Sequence, residues 1–167
     1  MSLIIGCDPG LTGAICLLQV QGGYQLLECT DLPTCGNGTA SGSMKRWLDS
    51  EALTTILQDW ADRHDFARAG LESFIERPIP MPSLPAQTIA SQFDTFGVLR
   101  AALARRGPVH YVNPREWKTR FRLGNDKAAS RDLCQRLYST APIARVKDHN
   151  RAEAILIGHH GLREIHG

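Results

Sequence analysis

No stretch of this sequence approaches the ~20 consecutive apolar residues that a bilayer-spanning helix needs, so no membrane-spanning segment is expected. The opening Met-Ser-Leu-Ile-Ile-Gly-Cys-Asp has no basic leader region and reaches a carboxylate at Asp8, too early for a signal peptide. A soluble, unexported, cytoplasmic protein is expected. Cysteine offers no framework either: there are five, an odd number, with no C-x-x-C pair and no Cys/His zinc-finger spacing. Reduced thiols are therefore expected, with Cys7 and Cys16 serving as small core residues in apolar runs. There is no internal repeat and no low-complexity tract. Histidine shows no metal-ligand spacing.

What remains is a chain of 167 residues, 43% hydrophobic and 22% charged. That is enough apolar material for one globular domain over residues 1–167, and too much for disorder. A net charge of +2 conceals a strong asymmetry: residues 1–99 carry −6, residues 100–147 carry +9, and residues 148–167 carry −1. A basic block inside a nearly neutral protein points to an anionic partner along one surface, against the plainer alternative of solvated helix faces.

Apolar runs at Leu3–Asp8, Ala14–Val20 and Tyr24–Thr30 are separated by the turn residues Pro9-Gly10, Thr12-Gly13 and Gly22-Gly23. They predict a three-strand antiparallel meander. Residues 33–43 read as a loop. A helix capped by Ser50 is predicted to about Arg63, from the spacing of Leu53, Ile56, Leu57 and Trp60. Phe66–Glu72 reads as a fourth strand, and the four prolines of residues 78–85 as a stiff extended loop. A long helix is predicted over 86–106 and a fifth strand over Pro108–Val112. Asn113-Pro114 opens a short helix through Trp117, a further helix covers Lys127–Tyr138, and a last one starts at His149 or Asn150. This order implies an α/β fold. Its five-stranded mixed sheet would combine an antiparallel meander with parallel first, fourth and fifth strands, flanked by helices.

In such sheets ligands bind beyond the carboxyl ends of the strands. Asp8 ends the first strand, Glu72 ends the predicted fourth, and Glu153 lies one turn into the last helix, with Asn150 and Asp148 just before it. Carboxylates remote in sequence but clustered in space suit hard divalent cations. A pair of such ions ~3.5–4 Å apart can drive phosphodiester hydrolysis. Each piece also has a plainer alternative: Asp8-Pro9-Gly10 as a turn, Glu72 as half of a surface pair, and Asn150 with Glu153 as a capping box.

Five blocks, in order, resemble the RuvC-like Holliday junction resolvases of the ribonuclease H-like superfamily. They are Ile5–Gly10 with Thr12-Gly13, Leu71-Glu72, Asn113–Lys118, Asp126–Ser130 and Asn150–Gly158. The resemblance implies a ribonuclease H-like fold and crossover-junction endodeoxyribonuclease activity with a 3′-hydroxyl leaving group. It implies two Mg²⁺ ions per site, with Mn²⁺ as substitute, and no small-molecule cofactor. Asp8, Glu72 and Glu153 take the catalytic metal positions, and the fourth ligand is Asn150 or Asp148. Lys118 stands by the scissile phosphate. Lys127, Arg115, Arg120, Arg122 and Arg131 extend a DNA-binding patch, and Phe74 or Ile75 is the apolar residue at the junction centre, unless Phe74 is simply core. The implied partners are a four-way junction and a second copy of the chain, in a bacterial or phage-infected cell. The same residues leave room for a nuclease acting on other branched DNA or on RNA–DNA hybrid, and for a DNA-binding module weakened in catalysis by Asn150.

Overall fold

The computed structural model describes residues 2–36, 46–124 and 126–166. The meander is present as β1 (Ser2–Asp8), β2 (Ala14–Val20) and β3 (Tyr24–Asp31). β6 (Leu71–Glu76) and β7 (Val109–Val112) complete a five-stranded sheet of order β3-β2-β1-β6-β7. β1 runs antiparallel to β2 and parallel to β6, and β6 runs parallel to β7. The expected mixed sheet is thus the observed one.

Between these strands lie β4 (Thr34–Gly36), inside the stretch 33–43 read as loop, and β5 (Arg46–Leu48), which follows it; the two form a small separate ladder. Residues 37–45 lie outside the described residues. The helices are α1 (Ser50–His64), α2 (Phe66–Ala69), α3 (Ala86–Ala104), α4 (Pro114–Arg120), α5 (Lys127–Leu137) and α6 (His149–His166). α1 is capped by Asp49, whose carboxylate accepts from the Ala52 N–H at 3.0 Å, rather than by Ser50. None of the described helices is long and apolar enough to cross a membrane.

The sheet is covered on both faces, which is why β1 is apolar at nearly every position. Leu3, Ile5 and Cys7 pack with Leu53, Leu57 and Trp60 of α1 and with Leu99 and Leu103 of α3. Ile4, on the other face, joins Cys16, Leu18 and Phe74 against Ala152, Ile155 and Leu156 of α6, with Trp117 and Cys134 nearby. Cys7 and Cys16 are fully buried, as expected of small core residues. α6 lies so close to β1 that a Cβ on Gly6 would sit 2.2 Å from the Ala154 carbonyl oxygen. Glycine at position 6 therefore sets the helix-to-sheet distance that carries Glu153 toward Asp8.

One element is displaced from its expected place. Phe66–Ala69 is a helical turn, and the strand begins at Leu71. Phe66 and Ala69 are buried three residues apart, a helical spacing. Asp65 at φ 46° and Gly70 at φ 71° punctuate the two ends of this turn. A short apolar run does not tell these options apart by pattern alone. The strand's end moves by four residues, from Glu72 to Glu76, and that decides where the site is.

Candidate functional site

The parallel register of β1 and β6 pairs Ile4 with Glu72 and Cys7 with Ile75. Continued by one residue, it sets Asp8 beside Glu76, the last residue of β6. Glu153 arrives from α6 through the close approach at Gly6. Three carboxylates from three elements thus share one end of the sheet, and their charges act on one another. Although Asp8 keeps part of its surface in contact with solvent, the protein around it holds its carboxyl well above the usual carboxylate range. Burial is the main cause, followed by the charges of Glu76 and Glu153, while Lys118 and Lys127 oppose the rise. Glu76 is also raised, chiefly by burial, against the pull of Trp117 and Lys118.

The α4 helix supplies the surrounding polar groups. Asn113 caps it, accepting from the Arg115 N–H at 2.9 Å, and Pro114 occupies its first position. This fixes Trp117 and Lys118. The buried Trp117 donates its indole N–H to Glu76 Oε2 at 2.6 Å. Lys118 Nζ lies 3.5 Å from Glu153 Oε1 and 5.1 Å from the Trp117 ring centroid. Lys127 follows the cap Asp126 at the start of α5 and stands with its Nζ 2.9 Å from His149 Nε2. The Asn150 amide donates to the Thr12 carbonyl in the turn after Asp8. α6 starts at His149, so Asn150 lies inside the helix rather than capping it as the plainer alternative would have it.

Several expected site residues lie elsewhere. Glu72 is the second residue of β6, not the last, so it stands four residues, or ~13 Å of strand, from Glu76. Its Oε2 is 2.7 Å from His110 Nε2, and the His110 ring stacks on Phe74 at 4.6 Å. Phe74 and Ile75 are both buried core residues, on opposite faces of the sheet, and for Phe74 this is the alternative that the sequence left open. Asp148 is buried and accepts from the Arg145 backbone N–H at 2.8 Å and from the Arg145 guanidinium at 2.7 and 2.9 Å. The guanidinium holds the Asp148 carboxyl below its usual range. With its oxygens engaged in this way, Asp148 ties together the turn entering α6. Arg120 pairs with Glu164 near the far end of α6. Arg115 and Arg122 are exposed, and Arg131 is partly buried, its Nε without a hydrogen-bond partner among the described residues.

Glu76 was the residue hidden from sequence reasoning, although a signal for it existed. Gly70 breaks the chain, and Glu72, Phe74 and Glu76 then alternate with Leu71, Ser73 and Ile75, so both glutamates share one face and the second precedes the proline-rich loop. Among the described residues, no three His, Cys, Asp or Glu side chains already stand close enough to grip a metal ion. The donor set is nonetheless oxygen-rich, and burial first, then the mutual charge of the acids, raises the Asp8 and Glu76 carboxyls. That chemistry fits a hard divalent cation placed among the three acids.

No protein-family profile matches this chain, and no curated protein matches its sequence. Solved structures do. The RuvC of Thermus thermophilus in complex with a Holliday junction substrate superposes with a TM-score of 0.67 at 14% identity, covering 99% of this chain and 97% of that one. A second Thermus thermophilus RuvC structure gives 0.66 at 16% identity, covering 98% and 96%. The yeast mitochondrial Holliday junction resolvase Ydc2 gives 0.54 at 12% identity, covering 94% and 76%. The chain has the ribonuclease H-like fold that these proteins share.

Proposed function

We propose that this protein is a divalent-metal-dependent, structure-selective DNA endonuclease that resolves four-way junctions. The observation that carries this reading is the convergence of Asp8, Glu76 and Glu153 at one end of the sheet, with Lys118 against Glu153, in a chain with the fold of RuvC. Glu76 takes the role that the sequence suggested for Glu72. Asp8, Glu76 and Glu153 would hold Mg²⁺ or Mn²⁺, with the carbonyl oxygen of Asn150 available as a neutral fourth donor. Bound there, the ions would activate water and stabilise the leaving oxygen of a phosphodiester.

The chain's own residues do the rest. Trp117 fixes one oxygen of Glu76, so this carboxylate is held in place before any ligand arrives. Lys118 brings positive charge to the position where charge develops on the cleaved phosphate. Lys127, Arg115 and Arg122 hold the DNA backbone, and binding falls steeply with salt. Since Phe74 and Ile75 are core, the apolar contacts at the junction centre pass to Ile79 and Met81, exposed on the loop that follows Glu76. α3 exposes Phe93 and leaves Phe96 partly open, with Tyr111 of β7 against Phe96 at 5.5 Å. This apolar strip supports a symmetric dimer, in which two sites nick paired strands.

The test is incubation with labelled four-way junction, Y-fork, duplex and RNA–DNA hybrid, in Mg²⁺, Mn²⁺ and EDTA. Paired symmetric nicks on the junction, lost in EDTA, are expected. Cutting of hybrid alone, or binding without cutting in either metal, would overturn the reading.

A further inference from the structure

The turn entering α6 is built to hold one apolar side chain out in solvent. Arg145 closes residues 145–148 on themselves through its backbone N–H and guanidinium, both donating to Asp148. Asp148 is buried beneath, so the turn is anchored from inside. His149 Nδ1 lies 3.3 Å from the Val146 carbonyl oxygen, which ties the turn to the helix start. Val146 stands at the tip, 81% exposed, far above the 51% of Tyr111.

A single apolar side chain at a surface is ordinary. The setting of this one is not. Lys147, exposed, follows it, and Arg145, its guanidinium paired with Asp148, precedes it. The residue that receives the turn, His149, is in contact with Lys127, and the charge of Lys127 acts on Asp8. Lys118 and Lys127 thus stand by the carboxylates, and Val146 and Lys147 directly precede His149, the residue in contact with Lys127. An apolar side chain presented beside a cation can enter the minor groove and part a base step, while the cation holds a neighbouring phosphate.

We propose that Val146 is a DNA-positioning residue that wedges into a base step near the scissile phosphate and makes cleavage depend on how easily that step unstacks. This inference rests on the reading of the site as a junction nuclease. Pyrimidine–purine steps open most readily, so junctions carrying TA or CA near the cut are the better substrates. The occupant follows from the charge: the +9 of residues 100–147 ends at this turn, and a polyanion is its complement.

The experiment compares the full-length protein with Val146→Ser, Val146→Ile and Lys147→Ala. Single-turnover cleavage is measured on junctions that differ only in the step at the cut, and junction affinity is measured across a salt series. Val146→Ser is expected to cut on the order of 10-fold more slowly and to lose most of the preference for TA and CA steps. Its salt dependence should be unchanged, because no charge is removed. Val146→Ile should retain rate and preference. Lys147→Ala should lower the log–log salt slope by about one while keeping the step preference. Unaltered melting temperatures establish that the variants are folded. If Val146→Ser keeps both the rate and the step preference of the parent, the wedge is wrong while the nuclease stands. If the parent protein neither binds nor cuts any junction, the nuclease reading fails and the wedge falls with it.

Discussion

Strand β6 carries two glutamates on one face, four residues apart, and their surroundings differ in kind. Glu72, near the strand's start, is partly exposed and has a local partner in His110 at 2.7 Å. Glu76, at the strand's end, is in a denser setting where burial and the charge of Glu153 raise its carboxyl, and the same is true of Asp8 beside it. The one end is a closed arrangement that needs nothing from outside. The other accumulates negative charge faster than Lys118 and Lys127 offset it, and that surplus is what an external cation would relieve. Residue type does not separate a structural carboxylate from a functional one here. Position along the strand does, because only the last residue of β6 reaches the level of Asp8.

The sharpest way to break this comparison is to remove each charge in turn. Glu76→Gln is expected to slow single-turnover junction cleavage in Mg²⁺ by ~10³-fold or more, as loss of a metal-holding carboxylate does. Glu72→Gln should stay within about 3-fold of the parent, because it touches no reacting group. Equal losses in the two variants would dissolve the distinction.

The next effect concerns how Glu153 is brought to the site. Gly6→Ala places a Cβ 2.2 Å from a backbone oxygen of α6, an overlap that only helix movement relieves. A loss of about 3 kcal/mol in urea-unfolding stability is expected. Gly36→Ala, with nothing among the described residues within 4 Å of the added carbon, should be near neutral. Lys118→Ala should lower the cleavage rate ~30-fold and weaken junction affinity less than about 3-fold. Matching losses in rate and affinity would make Lys118 a docking residue.

The contrast between burial and pairing extends to histidine. His159, almost wholly buried and hydrogen-bonded to the Tyr138 hydroxyl at 2.8 Å, is pushed down to about 4, chiefly by burial. Its folded-state value lies below the unfolded value near 6.5, so the unfolded chain takes up the proton first. The stability it contributes is complete above pH 6.5. Between pH 6.5 and 4, about 2–3 kcal/mol is lost. Urea midpoints across that window should fall, and the fall should shrink in His159→Gln. The smallest effect returns to Glu72: being partly exposed, its pairing with His110 should be worth less than ~1 kcal/mol in the same assay.

Much of this architecture was legible from residues alone. The meander, the parallel placement of β1, β6 and β7 and the place of Asp8 at the end of β1 follow from apolar runs that end in turn formers or carboxylates, and Glu153 falls in the last helix as its spacing implied. The frame of β6 did not, because Phe66, Ala69 and Leu71 form one apolar stretch in which a helical turn and a strand have the same composition. Phe74 and Ile75 lost their expected role for the same reason: once the strand begins at Leu71, they fall in its middle. The fate of Asp148 was invisible for another reason. Whether a carboxylate is consumed by a nearby arginine depends on the turn geometry of residues 145–148, and spacing does not encode that.

The most direct test of the cation pocket is an Mn²⁺ titration followed by electron paramagnetic resonance, on the parent protein, Glu76→Gln and Glu72→Gln without DNA. Saturable loss of the free-ion signal in the parent and in Glu72→Gln, and its absence in Glu76→Gln, is the predicted outcome. Binding that survives in Glu76→Gln and disappears in Glu72→Gln would contradict it.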